Sequence, residues 1–182
     1  MTGAAKWVVV TRPPKQSDDH LAILAALERH EVEYVLIGGV AASVHGSPYP
    51  TYDVDITPKS TTSNLARLAA AINQIGAKII VDDDDSHGVA VDFDAVTLSR
   101  EVTWNLVTRF GVLDLEFAPS GTAGYTDLAR SATRLELGEN LTVLVASLGD
   151  VIRSKAEANR AKDRRVLPEL RALSEMRRKR GL

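Results

Sequence analysis

The sequence predicts a mixed α/β fold, a twisted sheet flanked by helices with a helical extension at the C-terminus, and three observations predict it. Apolar runs of strand length alternate with stretches of helical period over residues 17–146. Two strand-like runs, Thr51 to Thr57 and Val112 to Phe117, carry acidic residues on a two-residue period. From Ser147 onward the pattern becomes helical and basic. The expected organisation is an N-terminal segment 1–16, a core 17–146, and C-terminal basic helices 147–182 packed on that core.

Ser17-Asp-Asp-His20 offers capping groups ahead of Leu21, Leu24 and Leu27, whose spacing predicts a helix ending near His30. Glu33 to Ile37 is a buried strand that stops at Gly38-Gly39, where the chain turns into a short helix from Val40 to about His45. In Thr51 to Thr57, the apolar Tyr52, Val54 and Ile56 alternate with Thr51, Asp53 and Asp55, so both aspartates point to one side of a strand. A helix capped by Thr61-Thr62-Ser63 runs to about Ile75 and stops at Gly76, and Lys78 to Val81 forms another strand. The run Asp82 to Asp85 reads as a solvated, self-repelling loop, with metal binding as its competing use. Val102 to Arg109 and Val112 to Phe117 flank Phe110-Gly111 as an antiparallel hairpin bearing Asp114 and Glu116. A helix at Thr126 to Ala132 precedes a second strand pair, Thr133 to Leu137 and Leu141 to Val145, turning at Gly138-Glu-Asn140. Ser147 caps the next helix, with Asp150 three residues on, and Pro168 is expected to open a further one.

Composition narrows the function classes. At 182 residues, 45% apolar and 25% charged, the chain can bury a full core. No apolar run approaches the roughly 20 residues that span a bilayer, and the N-terminal apolar stretch is too short for a secretory signal. With no cysteine there is no disulfide framework, thiolate metal site or cysteine nucleophile, and a cytoplasmic setting without a membrane partner is expected. Net charge is −2, but residues 153–182 hold eleven Lys or Arg against four acids, a local excess of seven. Such a segment either attracts a polyanion or is a solvated helix face.

Gly38-Gly39 at a strand-to-helix turn lets the backbone approach a ligand, and N–H groups at the start of the following helix suit phosphate. Asp53 and Asp55, two apart on one strand, offer hard oxygen ligands of the kind Mg²⁺ takes together with phosphate oxygens. His45 packs or caps the short helix, with a role as base as the alternative. Trp104 and Tyr125 belong to the core or stack a base.

The combination is more specific than its parts. Ile37-Gly-Gly-Val-Ala-Ala-Ser-Val-His-Gly46, then Pro48-Tyr-Pro-Thr-Tyr-Asp-Val-Asp-Ile56, then Val112-Leu-Asp-Leu-Glu-Phe117 resembles the signature of the DNA polymerase beta type nucleotidyltransferase superfamily. These words are most similar to the small AbiEii and MenT toxin-type branch. Asp150-Val-Ile-Arg-Ser-Lys155 and Asn159-Arg-Ala-Lys-Asp163 resemble the helical motif that closes the domain in those relatives. The resemblance spans roughly residues 33–173. It implies the nucleotidyltransferase fold, with Asp53 and Asp55 as metal ligands and Asp114 as the third catalytic carboxylate. Glu116 is the alternative or assistant to Asp114. The metal implied is Mg²⁺, two ions about 3.5–4 Å apart, with Mn²⁺ as the substitute. Gly38, Gly39 and the Val40 N–H would cradle the nucleotide phosphates, and Lys155 would add a charge to them. Asp163, two helical turns beyond Lys155, would orient that lysine or the nucleotide, against a purely structural pairing. Thr51 is flagged as a regulatory hydroxyl on the toxin pattern, against an ordinary strand threonine. Two positions depart from the pattern: Gly39 stands where many relatives have serine, and Tyr49 where many have arginine.

The activity so implied is transfer of an NMP from an NTP to an acceptor hydroxyl with release of pyrophosphate. Its leading form is an RNA- or tRNA-modifying toxin with a cognate antitoxin. Modification of a small, aminoglycoside-like molecule or of a partner protein is the alternative, as is a domain that binds nucleotide without chemistry.

Overall fold

In the computed structural model, residues 19–81, 88–137 and 141–180 are described. The segment 1–16, the Asp82 to Asp85 run and the Gly138-Glu-Asn140 turn lie outside them. Helix α1 (His20–Arg29) begins where Asp19 accepts the Ala22 N–H, and it buries Ile23, Leu24, Ala26 and Leu27. Strand β1 (Tyr34–Leu36) is buried at all three positions and leads into α2 (Gly38–Val44). Strand β2 (Asp53–Pro58) and α3 (Thr62–Gln74) follow, and α3 stops before Gly76, whose φ is +68°. Two short strands, β3 (Lys78–Ile79) and β4 (Val89–Ala90), precede the one-turn helix α4 (Ala95–Leu98). The hairpin is β5 (Thr103–Thr108) and β6 (Gly111–Glu116). After it come α5 (Tyr125–Leu128), β7 (Thr133–Glu136) and β8 (Thr142–Val145). The chain ends in α6 (Leu148–Ala158) and α7 (Ala161–Lys179).

The eight strands form one mixed sheet in the order β4-β3-β5-β6-β2-β1-β8-β7. The expected α/β sheet with flanking helices and a helical C-terminal extension is therefore the observed architecture. At its centre β1 pairs antiparallel with β2 and parallel with β8, while β2 runs parallel to β6. Alternation along β2 sends Val54 and Ile56 into the core, both fully buried, and leaves Asp53 and Asp55 on the opposite side. Helices α1 and α3 pack together on one side, and α1 covers β2 and β6. The C-terminal helices share the core through Leu148, Val151 and Leu170. No described helix is long and apolar enough to cross a membrane.

Three readings of the sequence are corrected. The short α4 and β4 were not expected, because elements of four and two residues carry too few positions to show a period. Pro168 does not open a helix but lies well inside α7. It is exposed, so the Arg164 carbonyl it leaves without an N–H partner faces water, while Leu167 and Leu170 hold the buried side. The break falls instead at Asn159, in the left-handed conformation with φ 48° and ψ 28°, which asparagine adopts readily. Lys155 and Asp163 are consequently on two helices that meet at a corner, not two turns apart on one.

Two polar contacts fasten the helices. The His45 ring donates from Nε2 to the Ala146 carbonyl at 2.7 Å and accepts at Nδ1 from Arg177 at 3.1 Å, tying α2 to β8 and to the far end of α7. This packing use is the one the structure shows for His45. Asn64, fully buried in the first turn of α3, accepts the Glu33 N–H at 2.8 Å and donates to the Glu33 and Lys59 carbonyls at 2.8 and 2.9 Å. One side chain thus joins the entry of β1 to the exit of β2. Asn64→Leu leaves the Glu33 N–H and the Lys59 carbonyl without their partner, the Glu33 carbonyl keeping the Lys59 N–H, and is expected to destabilise the protein by about 2–4 kcal/mol, read as a lower urea midpoint with unchanged slope.

Candidate active site

Parallel pairing of β2 with β6 sets Asp55 directly beside Asp114, with Asp53 two residues earlier on the same face. One carboxylate oxygen from each of the three lies within 4.8 Å of the others. They open onto a cleft of about 740 Å³ that Gly38, Gly39, Thr51 and Lys155 also line. Seven of the residues expected at the site are therefore brought together. Val40 and Asp163 do not line this cleft. Glu116 instead faces a small cavity of about 30 Å³ behind it, together with Asp55 and Lys155.

Each of the three acids accepts a hydrogen bond from a neighbouring element or loop. Thr51 Oγ1 donates to Asp53 Oδ1 at 2.7 Å, the Gly39 N–H to Asp55 Oδ2 at 3.3 Å, and Asn105 Nδ2 to Asp114 Oδ1 at 2.8 Å. Burial, then the charges of Asp53, Asp114 and Glu116, push the Asp55 carboxyl up to about 7. Burial also raises Asp114 to about 6, with Asp53 and Glu116 adding to it and the Asn105 contact opposing. Asp53 moves the other way: burial works against its charge, but the Thr51 hydroxyl and the Lys162 ammonium outweigh it. Clustered carboxylates that resist ionising together, with an oxygen left on each, fit a hard divalent cation, and no softer donor is among them.

The two glycines are required by what they face. A Cβ on Gly38, where φ is +64°, would lie 1.9 Å from Asp55 Oδ2, and one on Gly39 would lie 2.3 Å from Thr51 Oγ1. Opposite them stands the α6–α7 corner. Asp163 is fully buried there and accepts from Lys155 Nζ at 3.3 Å and Arg160 Nε at 2.8 Å. Burial favours its neutral form, but the Arg160 and Lys155 charges hold its carboxyl below the usual range. Asp163 thus stands behind Lys155, presenting that ammonium to the cleft. Trp104 stacks edge-on against Phe93 with centroids 5.8 Å apart, and Tyr125 packs on the core; neither lines the cleft.

The sequence reading missed Asn105 and Lys162, both of which line the cleft. Asn105 was legible in principle, because a hairpin loop at Arg109-Phe110 pairs it with Asp114. Lys162 sits in a motif already singled out, where its neighbour Asp163 drew the role.

No family model and no curated protein matches the chain. Solved structures do. The lincosamide antibiotic adenylyltransferase LnuA, with lincomycin bound, superposes with a TM-score of 0.58 at 15% identity, over 87% of this chain and 98% of LnuA. The chain has the nucleotidyltransferase fold. A Thermotoga maritima protein described as a nucleotidyltransferase matches with a TM-score of 0.51 at 13% identity, over 82% of this chain and 88% of that one. The antibiotic-resistance factor ANT(2'')-Ia matches with a TM-score of 0.50 at 15% identity, over 87% and 88%.

The raised carboxyls give the metal-free protein a distinctive pH response. Asp55 and Asp114 bind protons more tightly folded than unfolded, since about 7 and about 6 exceed the ordinary 3.8. Their contribution therefore stabilises the fold at low pH and is lost as pH rises through 6 and 7, while lowered groups such as Asp163 lose theirs only in stronger acid. The metal-free protein is expected to melt at a higher temperature near pH ~5.5 than near pH ~8, and added Mg²⁺ to raise Tm more at the higher pH. Differential scanning calorimetry across that range checks both signs.

Proposed function

We propose that the chain is a metal-dependent nucleotidyltransferase that moves an NMP from an NTP to an acceptor hydroxyl and releases pyrophosphate. The observation that carries this reading is the convergence of Asp53, Asp55 and Asp114 within 4.8 Å, at the floor of a nucleotide-sized cleft with a cationic wall. The fold shared with LnuA supports it.

In this reading Asp53, Asp55 and Asp114 hold Mg²⁺, or Mn²⁺ in its place. When bound, the metal supplies Lewis acidity and neutralises charge on the phosphates. Lys155, fixed by Asp163, binds the phosphate chain as a point charge. Gly38 and Gly39 let that chain lie close to the backbone. Asp114, the third carboxylate, would take up the hydroxyl proton of the acceptor as it attacks. The acceptor oxygen forms a bond to the α-phosphorus, the bond from that phosphorus to its bridging oxygen breaks, and the electron pair leaves on pyrophosphate.

For the acceptor we infer a small hydroxylated molecule with an apolar body. Ile80, Val81 and Val112 give the cleft an apolar wall on the hairpin side, and LnuA is named for acting on a lincosamide antibiotic. An RNA acceptor, with the toxin and antitoxin setting, is the second reading. Arg164, Arg171 and Arg178, all exposed and seven apart on α7, favour it as a stripe for phosphates.

Incubating the protein and Mg²⁺ with each labelled NTP, against total RNA and against a panel of hydroxylated antibiotics that includes lincomycin, separates the acceptors. Label is expected in the antibiotic arm, and Asp53→Ala is expected to lower the rate by about a thousandfold or more. Label confined to RNA, with growth arrest on expression, would establish the second reading. Failure to label any acceptor, together with no Mg-dependent NTP binding, sinks nucleotidyl transfer altogether.

A further inference from the structure

Three cationic side chains reach the cleft from the α6–α7 corner: Lys155, Arg160 and Lys162. Two are committed. Lys155 and Arg160 both close onto Asp163, whose carboxylate has no exposure. Lys162 is not. It is exposed in the first turn of α7, and among the described residues it makes no hydrogen bond or ion pair. Its charge nonetheless reaches Asp53 and Asp114 across the cleft and favours their ionised forms.

We propose that Lys162 is an exchangeable counter-ion that balances the acidic cluster in the free protein and transfers to the phosphate chain of the nucleotide when metal and nucleotide enter together. The proposal rests on the nucleotidyl-transfer reading and adds a nucleotide-binding residue to it. The backbone of Lys162 is anchored, because the adjacent Asp163 is locked by two cations, so only the side chain has to swing. Its flexible four-carbon stem and compact ammonium suit such a move better than a planar guanidinium would. A divalent cation among the carboxylates removes the need for a lysine there, and the polyphosphate that accompanies it brings new negative charge a few ångströms away. Phosphate rather than acceptor is the destination because Lys162 shares its wall with Lys155 and Arg160, whereas Ile80, Val81 and Val112 are apolar.

The exchange gives Lys162→Ala effects of opposite sign on two ligands, which a merely structural role would not produce. Isothermal titration of the full chain with Mg²⁺ alone should show tighter binding in the variant, by about threefold, since a competing cation is gone. Titration with inorganic pyrophosphate in saturating Mg²⁺ should show binding weakened about tenfold, with Lys162→Arg recovering part of the loss. Lys162 is exposed and makes no hydrogen bond or ion pair with a described residue, so the variant should fold, with a Tm in the absence of ligands close to that of the wild type. The proposal is overturned if the variant binds both ligands as the wild type does, or if both affinities fall together. If the wild type binds neither Mg-pyrophosphate nor any Mg-NTP, the nucleotidyl-transfer reading itself falls and takes the proposal with it. Tight wild-type binding with an indifferent variant overturns the proposal alone.

Discussion

The structure is organised around a repulsion. Three carboxylates within 4.8 Å of one another is an arrangement that isolated side chains would avoid, and it persists because the backbone leaves them no alternative. Parallel pairing of β2 with β6 fixes Asp55 beside Asp114, and the burial of Val54, Ile56, Leu113 and Leu115 on the reverse face makes a register slip costly. A shift by one residue would turn that apolar set outward and the acids inward. The hydrophobic core is therefore what holds the charges together. Burial first, and the neighbouring acids after it, hold Asp55 and Asp114 high, while Asp53, with a hydroxyl and an ammonium to help it, sits low.

Around that cluster the smallest side chains are set by steric necessity. Gly38 has no room for a Cβ because Asp55 occupies the place, and Gly39 has none because Thr51 does. This accounts for a glycine rather than a serine at position 39: a serine there and the present rotamer of Thr51 exclude each other. The Thr51 hydroxyl fills that space instead and is turned onto Asp53. A hydroxyl is thus retained beside the acids, supplied by β2's approach rather than by α2. Tyr49 lines the same cleft and is exposed, so this loop offers the cleft an aromatic surface.

How much of this was legible depended on the length over which a pattern repeats. The alternation of β2 and the turn at Gly38-Gly39 gave the acid pair and the close backbone approach, because six residues suffice to show a two-residue period. The hairpin was legible as a hairpin but not in its register. A loop placed at Phe110-Gly111 would set Asn105 opposite Glu116, whereas the loop at Arg109-Phe110 sets it opposite Asp114. One residue of loop placement decides which acid acquires a donor. The helical corner was hidden for a related reason. Pro168 is the stronger breaker by chemistry, yet its place on the exposed side of α7 lets water satisfy the freed carbonyl, and the weaker signal at Asn159 ends α6.

That corner also explains why a buried charge is tolerated where apolar residues would pack as well. Asp163 contributes little net stability by being buried with two cations, since desolvation offsets much of the attraction. What it supplies is direction. Lys155 from α6 and Arg160 from the start of α7 converge on one carboxylate, which fixes the angle between the helices and turns both cations toward the carboxylates across the cleft. An apolar residue at 163 would hold the helices together without aiming either charge. The acidic floor and the cationic wall are thus two halves of one electrostatic arrangement. The floor is set by sheet register and the wall by a single buried acid, and polyphosphate with its metal is the ligand class whose charges complement both at once.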